Sequence, residues 1–306
     1  MRKAPRIIVL ISVVVLGLFL INAEKLSKDK VQVSDNDSIK NTSDTYQIKA
    51  LKIPDNLSFA GEKVPTTKTD IKERIDRELL VNTYWQSNGL LYFKRSNKYF
   101  PLIEPILKEY GIPDDFKYLA LIESGLQNVT SPAGAKGFWQ LMPATAKEYG
   151  LEVNSNVDER YNLEKSTIAA CKYLLESKER FGNWTLAAAS YNAGKAGISK
   201  RIESQQVNNY YDLLLVSETA RYIPRIVAVK EILNNPKKYG FIFDKEDLYN
   251  NLETKNIKVD TPISNLALFA KEYDINYKLL KLHNPWLREN KLNNKSRKLY
   301  EIKIPI

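Results

Sequence analysis

The chain is poor in the residues that most often carry metals and covalent chemistry. Its 306 residues include one cysteine, Cys171, and one histidine, His283. A lone cysteine excludes an internal disulfide and a cysteine-built metal cage. A lone histidine removes the usual zinc ligand sets and the Ser-His-Asp arrangement. No metal or cofactor is therefore expected. Also missing is a long block of one charge: 46 Lys and Arg against 36 Asp and Glu give a net +10 that is spread along the chain. Such a spread implies weak attraction to a polyanion, with nucleic acid, anionic lipid and an acidic cell-wall polymer all compatible. Repeats at a period of roughly 20 to 50 residues are absent too, which argues against a solenoid. What remains for catalysis is carboxylate chemistry, with Tyr, Ser, Asn and Gln as helpers.

Composition divides the chain. Residues 1–23 set Arg2, Lys3 and Arg6 ahead of an apolar run from Ile7 to Ile21, the layout of a signal peptide or signal anchor. Export is expected, to the periplasm or cell envelope. The run is shorter than the roughly 20 residues that span a bilayer comfortably, so cleavage after Ala23 and retention as a membrane anchor both stay open. Residues 24–65 form a tether and then an extended segment: Glu24 to Thr45 has no aromatic residue, and Pro54, Gly61 and Pro65 punctuate the stretch from Tyr46 onward.

Residues 66–242 read as helical. Ile71, Ile75, Leu79 and Leu80 recur at helical spacing behind Thr69-Asp70, and further helices are predicted over 98–110, from Asp114 to the ESG at 123–125, and over 143–149, 163–181, 184–191 and 218–233. The pattern then changes. Over residues 250–306, short strands at 257–259 and 299–304 flank helices at 262–273 and 276–283, a small β-α-α-β domain. The fold class expected is mainly α, with this unit at its C-terminal end.

One apolar run carries an acid. In LALIESGLQN, residues 119–128, Phe116, Leu119, Ala120 and Glu123 share one side of a helix that Gly125 stops. Desolvation and the negative end of the helix dipole would both raise the pKa of Glu123. A carboxylic acid kept protonated near neutral pH is what a glycosidic general acid must be. From this helix alone, a partly exposed helix-end glutamate paired with a lysine is the favoured reading.

Downstream, SPAGAKGFWQLMPATAKEYG, residues 131–150, supplies Gly134 and Gly137 for close backbone approach, Phe138, Trp139 and Met142 for an apolar wall against a sugar face, and the amide of Gln140. In AAASYNAGKAG, Tyr191 and Asn192 reach a helix end with donors suited to sugar hydroxyls and acetamido groups. Taken singly, each has a structural use as well: core filler, packing, cap.

Together the blocks Glu123-Ser124, Ser131 with Gly134-Ala135 and 137–143, Tyr191-Asn192-Ala193-Gly194, and Glu218-Thr219 with Tyr222-Ile223-Pro224 resemble the lytic transglycosylase family, the SLT type with a goose-lysozyme-like fold. The resemblance runs from about Thr69 to Gly240, and FAGEKVP at 59–65 is similar to the membrane-bound type. It implies a lysozyme-like catalytic domain that cleaves the β-1,4 bond between N-acetylmuramic acid and N-acetylglucosamine without water, with Glu123 as both acid and base. Glycan strands of peptidoglycan would be the partner. By motif position, Ser124, Ser131, Trp139, Gln140, Met142, Tyr191, Asn192 and Tyr222 would bind substrate, with Glu218 supporting the site.

The tail is similar to a LysM domain, with His283-Asn284-Pro285 at its Asn-Pro corner and Asp260-Thr261-Pro262 in place of the usual Gly-Asp-Thr opening. His283 is accordingly structural rather than catalytic. Two alternatives stand beside the transglycosylase reading. One is a lysozyme-type hydrolase that recruits Asp158 or Glu159 as a second acid, the other a non-catalytic wall-binding scaffold. Export and the absence of aromatics interleaved with the lysines argue against nucleic acid. Endo or exo action, stem-peptide preference and oligomeric state are not written in these patterns.

Overall fold

Helices dominate the structure, a computed structural model that describes residues 48–306, and strands are confined to two small antiparallel pairs. The expected export segment at 1–23 and the tether as far as residue 47 lie outside the described residues. Among the described residues no helix is long and apolar enough to cross a membrane.

The FAGEKVP stretch, extended by its sequence, folds as a hairpin. Its strands are β1 (Ser58–Phe59) and β2 (Glu62–Lys63). Ala60 and Gly61, with φ of 52° and 79°, supply the positive φ that a two-residue loop of this twist needs at both central positions. Phe59 is fully buried and meets the Phe116 ring edge-on at 5.0 Å. Asp115 accepts the Ala60 N–H at 2.7 Å and pairs with Lys230 at 2.7 Å, which fastens the turn to the helical body.

Helix α1 spans Thr69–Tyr84 and α2 spans Gln86–Glu109. The second starts well before the expected residue 98. A Cβ on Gly89 would come within 2.5 Å of the Phe241 ring, so this glycine answers a packing requirement inside the helix. A 3-10 turn at Asp114–Phe116 leads into α3 (Lys117–Ser124), whose Leu119, Ala120 and Leu121 are fully buried. Each of those leucines contributes about 1.5–3 kcal/mol by burial.

Next come α4 (Pro143–Glu148), with proline in its first turn, and α5 (Leu163–Phe181), whose Asn162 cap accepts the Lys165 N–H at 3.0 Å. Gly182 ends α5, and α6 (Trp184–Ala193) comes after it. The N-terminus of α6 is capped by Asn183 and also by Glu62 of the hairpin, whose carboxylate accepts the Thr185 N–H at 2.9 Å. Cys171 on α5 is fully buried in this core, and burial pushes its thiol up to about 12.

Helix α7 (Lys195–Gln205) has no counterpart among the helices the sequence predicts. The single helix expected over 218–233 is two, α8 (Ser217–Ala220) and α9 (Tyr222–Asn234), divided at Arg221. The Tyr210 hydroxyl lies 2.8 and 2.9 Å from the carbonyls of Thr219 and Ala220, which satisfies the end of α8 without continuing it.

The C-terminal unit has the expected order: β3 (Thr254–Val259), α10 (Leu266–Lys271), α11 (Tyr277–His283) and β4 (Tyr300–Pro305), with Thr254 opposite Pro305 and Val259 opposite Tyr300. Tyr300, Ile302 and Ile304 alternate onto its inner face. Asn284 is fully buried and stitches α11 to β4, donating to Leu280 O at 2.9 Å and Lys303 O at 2.7 Å while accepting the Lys303 N–H at 2.8 Å. The core of this unit also takes in Val157 and Tyr161 from the helical body.

Candidate active site

Glu123 occupies the penultimate position of α3, and Gly125, in the left-handed conformation with φ 62°, stops the helix two residues later by donating to Leu121 O at 2.8 Å. Its neighbours Leu121, Ile122 and Ser124 are buried while Glu123 itself is partly exposed. Burial is the main reason its carboxyl lies above the usual carboxylate range, with Glu218 pushing the same way. A hydrogen bond from Tyr222 and the charge of Arg225 oppose it. Among the described residues no lysine pairs with Glu123, which removes the surface ion-pair reading of this helix end.

Two tyrosines flank the acid. Tyr222, on the first turn of α9, donates its hydroxyl proton to Glu123 Oε1. Tyr191, near the end of α6, donates to the main-chain carbonyl of Trp139 at 2.7 Å. Burial and the nearby Glu123 carboxylate push both phenols well above their ordinary range, so they act as donors and stay neutral. Asn192 completes the cluster: its Nδ2 donates to Glu218 Oε1 at 3.3 Å, and its Oδ1 accepts from Thr219 Oγ1 at 2.7 Å. The break at Arg221 thus serves the site, because α8 carries Glu218 and Thr219 while α9 carries Tyr222 and Arg225.

Four expected substrate-binding residues also have structural work: Trp139 and Ser124 are buried, while Ser131 and Gln140 are partly exposed. Trp139 is fully buried, its indole N–H donating to Thr167 Oγ1 at 2.8 Å, so it is no wall for a sugar. Phe138 is likewise buried. Ser124 is buried and donates to Phe138 O at 2.9 Å. The Ser131 hydroxyl accepts the Ala135 N–H at 3.0 Å within its own turn. The amide nitrogen of Gln140 donates to Gly137 O at 2.7 Å and Val129 O at 3.2 Å. These side chains shape the 130–142 loop. Of the apolar wall, only Met142 is exposed, at 42%.

Arg225 joins the site without having been singled out by sequence, and Thr219, named only as part of the 218–224 block, holds Asn192. Arg225 lies one helical turn beyond Tyr222, so its place beside Glu123 is a matter of i,i+3 geometry once α9 is known to begin at Tyr222. The candidate second acids are occupied elsewhere. Asp158 is buried and bound by Arg160 at 2.8 Å, an attraction that holds its carboxyl below the usual range despite burial. Glu159, also buried, accepts the Glu152 N–H at 2.8 Å and pairs with Lys165.

Comparison with known proteins matches two parts of the chain to families. Residues 101–214 match the family described as the transglycosylase SLT domain, and residues 255–306 match the soluble lytic transglycosylase C-terminal LysM-like domain. Membrane-bound lytic murein transglycosylase D of Escherichia coli is 33% identical over 152 residues, which cover 48% of this chain and 34% of that protein. A putative tributyltin chloride resistance protein of Alteromonas sp. is 30% identical over 112 residues, 36% of this chain and 54% of that one. The chain thus spans about a third to a half of the length of these curated relatives. Among solved structures, the 70 kDa soluble lytic transglycosylase of E. coli aligns with a TM-score of 0.39 and 23% identity over 47% of this chain and 25% of that one.

Proposed function

We propose that this chain, which carries a transglycosylase SLT domain over residues 101–214 and a LysM-like domain over residues 255–306, is a peptidoglycan lytic transglycosylase of the cell envelope. Glu123, protonated, gives its proton to the glycosidic oxygen between N-acetylmuramic acid and N-acetylglucosamine, and the bond from that oxygen to the muramyl C1 breaks. The 6-hydroxyl oxygen of the same muramyl sugar then bonds to C1, and its proton passes to the Glu123 carboxylate. The acid is restored, no water is consumed, and the product ends in a 1,6-anhydro ring.

The observation that carries this reading is the Glu123 carboxyl, which burial holds above the usual carboxylate range and to which Tyr222 donates. Glycosidases that hydrolyse ordinarily deploy a pair of carboxylates flanking the bond. Here Asp158 and Glu159 are spent in ion pairs, and Glu218 is exposed with its carboxylate on Asn192. Tyr222 steadies one carboxylate oxygen, which leaves the other for substrate. Tyr191, Asn192 and Met142 are the groups offered to the glycan, and Glu218 positions Asn192. On this reading residues 66–242 form the catalytic domain and 250–306 a wall-associated domain, with an exported N-terminal segment, cleaved or retained.

Mass spectrometry of digested murein tests the reaction. Wild type should leave anhydro ends, and Glu123→Gln should lose cleavage by a factor on the order of 10²–10⁴, the usual worth of a general acid. Products with hydrated reducing ends, or undiminished cleavage by the variant, would sink the proposal.

A further inference from the structure

The segment 152–161 is a strap between the two cores. From the C-terminal side it is gripped along its length. The Asp158 N–H donates to Trp286 O at 2.9 Å, Asn156 Oδ1 accepts the Asn293 N–H at 2.8 Å, and Asn156 O accepts the Arg288 N–H at 2.8 Å. The Tyr161 ring lies in the C-terminal core with the Arg288 guanidinium 4.1 Å from its centroid.

The same strap grips the 130–142 loop from the other side. Arg160 is buried and held by both oxygens of Asp158, at 2.9 and 2.8 Å, and donates onward to the carbonyls of Gly134 and Leu141 at 3.0 and 3.2 Å. Tyr161 Oη is 3.0 Å from Thr130 Oγ1. The Arg160 carbonyl fills the space beside Gly137 so closely that a Cβ there would sit 1.9 Å away. The loop in turn touches the acid's neighbours: Phe138 O accepts Ser124 Oγ–H, and Trp139 O accepts Tyr191 Oη–H.

We propose that the C-terminal unit, beyond any hold on the wall, fixes the catalytic loop through this strap, with Arg160 and Tyr161 as positioning residues for Glu123. This rests on the reading of Glu123 as the general acid. A buried guanidinium divided between one carboxylate and two loop carbonyls adds little net stability, but its planar fork sets direction. Small misplacements around a reacting group are costly in rate.

The test uses the full chain with Asn156→Ala, which removes that side chain's bonds to Glu289, Lys291 and Asn293 and so loosens the C-terminal grip without touching the loop, and Tyr161→Phe, which removes only the Thr130 contact and so guards against a variant that fails to fold. Amide hydrogen exchange at Ser131, Lys136 and Gly137 is read together with turnover of short soluble glycan, for which tethering to a wall gives no advantage. Exchange should rise at all three amides. Turnover should fall by roughly tenfold to a hundredfold in kcat with KM little changed, and its alkaline limit should move to lower pH as water reaches Glu123. Unchanged exchange, or faster exchange with unchanged turnover, overturns the proposal. Exchange reports the coupling whatever wild type does to murein, whereas a failure of the reaction itself shows separately as missing anhydro ends.

Discussion

On the proposed mechanism protonated Glu123 starts the reaction, so turnover falls as pH rises through its pKa, and that pKa is set by burial and by named neighbours. Tyr222 donates to the ionised carboxylate and lowers it, while the charge of Glu218 raises it. Tyr222→Phe should therefore slow the reaction by about tenfold or more, the worth of a hydrogen bond to a charged group, and shift its alkaline limb to higher pH. Glu218→Gln should shift that limb to lower pH. Rate profiles on soluble glycan decide the matter, and shifts of the same sign in both variants would refute this account of the site. At this scale the sequence is informative about Glu123, because an acid on an otherwise apolar helix stands out. It misleads about Trp139, since an aromatic in a motif looks alike whether it faces a ligand or a core, and the Thr167 hydroxyl that holds its indole lies on α5, far along the chain.

Elements with local punctuation are legible. Helix α5 has the bounds its sequence predicts because Asn162 caps one end and Gly182 stops the other. The hairpin at 58–63 and the break at Arg221 are not legible, because each depends on distant partners, Asp115 and Tyr210, that no local pattern reveals. Gly137 shows how such partners constrain one position. Its φ of 80° and the Arg160 carbonyl pressed against it leave no room for a side chain. Gly137→Ala should cost about 1–3 kcal/mol through strain and overpacking, measured as a lower denaturation midpoint. A neutral result would mean that the strap and loop are looser than drawn.

Across the molecule, the shift from helical to β-α-α-β patterning marks two parts, but nothing in it marks the strap that joins them. Val157 and Tyr161 sit in a segment without periodicity, so no local pattern predicts that they enter the second core. Domains linked only by a flexible segment unfold separately, whereas a shared core couples them. Calorimetry of the full chain should show one transition, and Val157→Ser should lower it as a whole. Two resolved transitions in wild type would contradict the shared core.

The buried Cys171 carries a further consequence for a protein proposed to work in the cell envelope. The thiolate is the form that attacks, and burial that pushes its pKa to about 12 leaves almost none of it. With its sulfur enclosed by α5 and its surroundings, the folded chain offers no thiol for exchange with a neighbour's. While it stays folded the chain is therefore closed to thiol exchange with its surroundings, and mixed-disulfide capture becomes a hazard of its unfolded chain alone.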